Sequence, residues 1–73
     1  MAGLPVVSGA KCVRALERDG YTVVRQRGSH VRLNAPGRGP VTVPLHAELD
    51  RGTLRSILNA AEISVERFLA LLG

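Results

Sequence analysis

YTVVRQRGSHVRLNAPGRGPVTVPLH (Tyr21–His46) reads as three strands joined by two turns. Tyr21 to Gln26 is rich in β-branched and aromatic residues, the types that fit a pleated, half-buried surface. Arg27-Gly28 makes a tight reversal, since Gly28 is free to take a positive φ. Ser29 to Asn34 then alternates: Val31 and Leu33 face a core, while His30, Arg32 and Asn34 face the other way. Ala35 to Pro40, with Pro36, Gly37 and Gly39, is a loop. Val41 to Leu45 alternates again, with Val41, Val43 and Leu45 inward and Thr42 and His46 outward. Pro44 belongs at an edge or at the strand's end, because it cannot donate to a ladder. Short turns make the three segments an antiparallel meander.

Upstream, Met1 to Val7 reads as an irregular arm, with Pro5 set against early helix. Ser8 is placed to cap a first helix over Gly9–Arg18, whose Val13 and Leu16 face the core with Cys12 and Ala15 beside them. Gly20 supplies the left-handed residue that ends a helix. Downstream, Asp50 opens a second helix in which Leu54, Ile57, Leu58 and Ala61 form an apolar stripe at i, i+3, i+4 and i+7. A break at Glu62-Ile63 leads to Ser64, a second cap, and Val65, Phe68, Leu69 and Leu72 repeat the spacing in a shorter last helix. The expected fold class is α+β, in the order α-β-β-β-α(-α), with the helices on one face of the sheet. Nothing remains to cover the opposite face, which carries His30, Arg32, Asn34, Thr42 and His46.

Seventy-three residues make one domain, 1–73, and a chain this short buries roughly 60% of its unfolded surface, so its stability is a few kcal/mol. The single cysteine, Cys12, allows no internal disulfide and reads as a core residue; no Cys/His cluster has zinc-site spacing. These features point to a reducing compartment, the cytoplasm. Leu4–Val7 is too short for a signal-peptide apolar region, and no run reaches the ~20 residues of a membrane span.

The charge is unevenly placed. Between Asp19 and Glu48 there is no acidic residue, yet Arg25, Arg27, Arg32 and Arg38 lie there; elsewhere basic and acidic side chains balance. The net charge of +4 therefore sits in the segment that also holds both histidines. Nine of the ten basic residues are arginine, whose guanidinium fork suits phosphate. A cationic sheet face suits an RNA backbone. Lys11, Arg14 and Arg18 form a second basic stripe on the first helix, read as a solvated face because Glu17 and Asp19 neutralise its end.

A histidine in a basic, partly exposed patch can take or give a proton near neutral pH. The reaction it suits is attack of an RNA 2′-OH on the adjacent phosphate, which needs a base, an acid and charge stabilisation but no metal or other cofactor. His30 is the candidate acid/base, with His46 a second proton carrier. Arg25, Arg27, Gly28, Ser29, Arg32 and Asn34 are the candidate RNA-binding set. The plainer alternative is that an exposed strand histidine is only a polar face residue and that Gly28-Ser29 is only a hairpin turn. Two rival functions use the same face: a non-catalytic RNA-binding module, and a basic domain that docks an acidic protein.

Three motifs sharpen this. Arg25-Gln26-Arg27-Gly28-Ser29-His30, Val41-Thr42-Val43-Pro44-Leu45-His46 and Arg51-Gly52-Thr53-Leu54-Arg55-Ser56-Ile57-Leu58, in that order and spacing, resemble the HicA (YcfA-like) toxin family. The resemblance runs from the first helix to Phe68-Leu69. It implies a small double-stranded-RNA-binding-like fold acting as an mRNA interferase, the toxin of a type II toxin–antitoxin pair silenced by a HicB antitoxin. It further implies that His30, in the Gly-Ser-His motif, is the catalytic histidine, and it places His46 on a histidine common among related sequences.

Overall fold

Ser8, in extended conformation, turns the arm into helix α1 (Gly9–Arg18) by accepting the Lys11 backbone N–H on its hydroxyl at 3.1 Å. The computed structural model describes residues 3–73, so the first two positions of the expected arm lie outside the described residues. After α1 come β1 (Thr22–Arg27), β2 (His30–Ala35), β3 (Arg38–Pro44), α2 (Arg51–Ala61) and α3 (Val65–Leu72). The strands form one antiparallel sheet in the order β1-β2-β3. This is the expected α+β order.

The end of α1 explains one departure from expectation. Gly20 (φ 105) donates to the Glu17 carbonyl and Tyr21 to that of Leu16, the paired bonds of a Schellman cap. Tyr21 is therefore part of the cap and not of the strand. Its ring packs in the core with Leu16, and its hydroxyl donates to the Gly39 carbonyl at 2.9 Å. The buried face of α1 is also rotated from the one expected: Cys12, Ala15 and Leu16 are fully buried and Val13 only partly, because the helix packs against α3 as well as the sheet. In α3 the same effect buries Phe68 and Leu71 and leaves Leu69 partly exposed. Asp50 and Ser64 cap α2 and α3 as the sequence suggests, at 2.7 and 3.0 Å.

The first hairpin turns one residue later than the expected Arg27-Gly28, and the second is tighter than expected. Arg27 pairs with His30, so the turn is the two residues Gly28-Ser29; Gly28 has φ 54 and Ser29 does not share it, the signature of a type II′ turn. Ala35 pairs with Arg38 across Pro36-Gly37, with Gly37 at φ 73, so the expected loop over Ala35–Pro40 shrinks to two residues and β3 begins at Arg38. Along β2, Val31 and Leu33 are buried while His30 and Asn34 are exposed. Val41 and Val43 of β3 join the buried set, and the helices lie on that side. Leu45, expected inward on the third strand, lies past its end and is 37% exposed.

Arg38 does not join the cationic face. Its guanidinium donates to the Asp19 carboxylate at 2.7 Å, to the Asp19 carbonyl at 3.1 Å and to the Ala61 carbonyl at 3.2 Å, and lies 4.7 Å from the Tyr21 ring centroid. It thus ties the end of α1, the end of α2 and the start of β3 together. Arg67 of α3 adds a second bond to Asp19 at 3.0 Å. The Asp19 side chain keeps only 9% of its surface. Burial pushes its carboxyl upward, but hydrogen bonds and charge from Arg38 and Arg67 outweigh that and hold it below the usual range. A depressed carboxyl contributes stability that is complete above the ordinary value of about 3.9 and lost as pH falls through the lower folded one. Asp19→Asn should therefore cost roughly 2 kcal/mol at pH 7 and flatten the loss of melting temperature below about pH 4. Thermal melts from pH 2 to 7 check this; an unchanged acid slope in the variant would show that Asp19 is not the group responsible.

Candidate functional site

β1 extends beyond the helical layer, and all six of its residues are exposed. It carries a bulge between Val23 and Arg25, which decides what its side chains face. Thr22 pairs with Asn34 and Val23 with Leu33; past the bulge, Arg25 pairs with Arg32, Gln26 with Val31 and Arg27 with His30. The extra residue, Val24, restores the arginines to the side opposite the core. Without it, Arg25 and Arg27 would be phased with Val31 and Leu33.

The result is a small recess on the open face, about 90 Å³, lined by Arg25, Arg27, His30, Arg32 and Thr42. Thr42 comes from β3, opposite Arg32. Directly opposed residues on one sheet face are about 5 Å apart at Cβ, and like charges so placed repel. Arg25 opposite Arg32 is such a pair. Among the described residues no carboxylate forms an ion pair with Arg25, Arg27 or Arg32; the two ion pairs there both use Asp19. Three unpaired guanidiniums around an exposed imidazole are an arrangement that an anion between them would relieve.

The hairpin that presents His30 is braced from behind. The Leu45 N–H donates to the Ser29 carbonyl at 2.6 Å, and the Gln26 side chain donates to the Gly28 carbonyl at 3.0 Å. Pro44 stands opposite His30 across the β2–β3 pairing. The turn is thus held by one backbone bond from the segment after β3 and one side-chain bond from β1.

A profile of the HicA toxins of bacterial toxin–antitoxin systems matches residues 9–63. The chain belongs to the HicA toxin family. The match ends at Ile63, before α3, and so stops short of Phe68-Leu69, where the sequence resemblance was drawn. A solved toxin–antitoxin complex from Streptococcus pneumoniae contains a chain with which this one shares 31% identity and a TM-score of 0.68, over 78% of this chain and 98% of that one. No curated protein sequence matches the chain.

The HicA fold gathers Arg25, Arg27, His30 and Arg32 in the recess, with Gly28 and Ser29 forming the adjoining turn. Asn34 lies on the same face two residues beyond Arg32 but does not line it. His46 leaves the sheet: β3 ends at Pro44, and the His46 carbonyl accepts the N–H of Gly9 at 2.9 Å. Its side chain lines no part of the recess. Instead its charge adds a minor contribution at Asp50, whose carboxyl is held below the usual range chiefly by the Thr53 backbone N–H and the Thr53 hydroxyl. Pro44 is the physical reason for the departure, since the strand ends there and the chain turns toward α1.

Cys12 is fully buried, and burial pushes its thiol up to about 12, so it is a protonated core residue. Strand alternation puts Thr42 on this face, outside the candidate RNA-binding set, and the structure places it in the lining of the recess. Among the described residues no three His, Cys, Asp or Glu side chains converge as a metal site, and no helix is long and apolar enough to cross a membrane.

Proposed function

We propose that this HicA toxin is an RNA endonuclease that needs no metal, with His30 as its acid/base and Arg25, Arg27 and Arg32 as its phosphate grip. One observation carries the reading: the exposed imidazole stands among three unpaired guanidiniums, on a hairpin held at both strands. In the reaction, His30 takes the proton of the ribose 2′-OH as its oxygen attacks the adjacent phosphorus. The P–O5′ bond breaks, water gives a proton to the departing O5′ and the hydroxide left is neutralised by the proton that His30 gives back, and a 2′,3′-cyclic phosphate remains. The arginines offset the charge that gathers on the phosphoryl oxygens, and the Ser29 hydroxyl and Gly28 backbone are further donors at the turn. Asn34, further along the face, contacts the RNA beyond the scissile phosphate. His46 takes second place as a proton carrier, because it lies outside the recess.

A free enzyme of this kind would damage its own cell's mRNA, and a protein that covers the open face would prevent that. We therefore assign the chain a HicB-like antitoxin partner and a cytoplasmic site of action. The likeness to a chain of a toxin–antitoxin complex supports this.

The test is incubation of the purified protein with single-stranded RNA in the presence of a chelator. Products should end in 2′,3′-cyclic phosphate and 5′-hydroxyl, and a 2′-deoxy nucleotide at the cut should block cleavage. Binding without products would favour the non-catalytic RNA-binding module. Products ending in 3′-hydroxyl would sink the mechanism. Removing one guanidinium, as in Arg27→Ala, should weaken RNA binding similarly for all sequences. It should also reduce the slope of log affinity against log salt by about 0.7, the value for one phosphate contact to a single strand. A fluorescence titration at several salt concentrations reads both effects; an unchanged slope would remove Arg27 from the phosphate grip.

A further inference from the structure

A groove of about 500 Å³, larger than the His30 recess, lies between β3 and α2. It has the size of pockets that hold small organic groups. Thr53, Ser56, Ile57 and Ala60, at i, i+3, i+4 and i+7, form its α2 wall, and Pro40, Val41 and Thr42 form its β3 wall. Thr42 lines the recess as well, so the two concavities meet at this residue. A strand held at His30 and continuing over the β3 edge enters the groove.

The chemistry of the groove differs from that of the recess. No lysine or arginine lines it, and its one ionised group is the Asp50 carboxylate. A phosphate is repelled there. Pro40 and Ala60, exposed above the buried Val41 and Ile57, offer apolar contact to a flat ring, while the Thr42, Thr53 and Ser56 hydroxyls and Asp50 offer hydrogen bonds to its edge. Asp50 already accepts from the Thr53 N–H at 2.7 Å and the Thr53 hydroxyl at 3.1 Å, which fixes its orientation and leaves each oxygen a free lone pair. Pro40 has no N–H to offer an added strand, and the pairing around it is irregular, so the groove is poorly suited to strand addition by a protein.

We propose that the β3–α2 groove is the base-reading subsite of the RNA site, taking a nucleobase beside the scissile phosphate with its polar edge on Asp50, Thr53 and Ser56. The inference rests on the His30 reading for the location of the cut. A carboxylate only accepts, so it favours bases whose edge carries an exocyclic amine (adenine, cytosine or guanine) over uracil, whose one donor, N3–H, stands between two carbonyl oxygens that the carboxylate repels.

The experiment is cleavage of a randomised single-stranded RNA pool, with the cut sites read by sequencing. Wild type should disfavour uracil roughly tenfold at one position next to the cut, the discrimination expected of one base-edge contact. Asp50→Asn keeps a good helix cap and exchanges an acceptor for an amide, so it should flatten that preference. Ser56→Phe fills the groove and should lower cleavage of the pool roughly tenfold, with circular dichroism showing the fold retained. Cleavage with no positional preference, or a preference that Asp50→Asn leaves intact, overturns the subsite while leaving His30 in its role. Absence of all cleavage by wild type overturns the His30 reading instead, and binding then judges the groove. Amide shifts at residues 52–56 on titration with a single-stranded oligonucleotide keep it, and shifts confined to residues 25–32 remove it.

Discussion

His30→Ala is expected to lower RNA cleavage by about 10²–10⁴-fold, the range lost when a positioned acid/base is removed. The effect should fall on the chemical step. His30 is exposed and, among the described residues, its side chain donates no hydrogen bond, so the variant should keep its stability to within about 0.5 kcal/mol. RNA affinity should stay near that of wild type, because Arg25, Arg27 and Arg32 are untouched. Expression without a partner should no longer arrest growth. The comparison to make is single-turnover cleavage by both proteins, beside their melting curves. A variant that cleaves at the wild-type rate and arrests growth equally would end the mechanism. One that loses RNA binding in proportion to cleavage would show His30 to be a contact and not a proton carrier.

The second large effect is on folding, and its sign is the informative part. Gly9→Ala places a methyl group at the first position of α1, where alanine is intrinsically favoured over glycine by about 1 kcal/mol. A Cβ there would overlap the Pro44 carbonyl oxygen and lie 2.9 Å from the Leu45 Cα. These are backbone atoms, so no side-chain rotation relieves the clash. The N–H of Gly9 also holds the His46 carbonyl, and the Leu49 N–H holds that of Val7, so the helix start and the segment after β3 are laced together. Separating them should cost about 3 kcal/mol or more, most of the stability of a domain this size. The site should suffer too, because Leu45 in that segment bonds to Ser29 beside His30. Gly52→Ala is the control: its Cβ would meet nothing nearer than an Asp50 oxygen at 3.5 Å, so it should stabilise by up to about 1 kcal/mol. Urea denaturation of the two variants decides the matter. A Gly9→Ala protein as stable as wild type would show the close approach to be slack.

The two predictions draw on different kinds of information. The importance of His30 could be inferred from residues 25–34, because alternation assigns faces and the turn residues mark the hairpin. Nothing near Gly9 in the chain indicates that it touches Pro44, thirty-five positions away. Capping was legible for a similar local reason: Ser8, Asp50 and Ser64 each act on a backbone N–H three residues on. Tyr21 was misplaced because a β-forming side chain was read as a strand residue, whereas the bonds of the α1 cap had already engaged its backbone.

The sequence by itself determined the element order, the core-facing residues of β2, and a cationic, polar face on the far side of the sheet. Those properties follow from residue type and short-range periodicity. Tertiary structure alone decided which charges remain free. Arg38 is withdrawn by Asp19 and Ala61, which lie 19 and 23 positions away, whereas Arg25 and Arg27 are turned toward His30 by a bulge that no residue pattern announces. It also carried His46 off the sheet and opened the groove beside α2. The reason is physical. A strand's phase is set by its neighbours along the chain, but an ion pair, a bulge or a groove depends on which distant surfaces come to rest against each other.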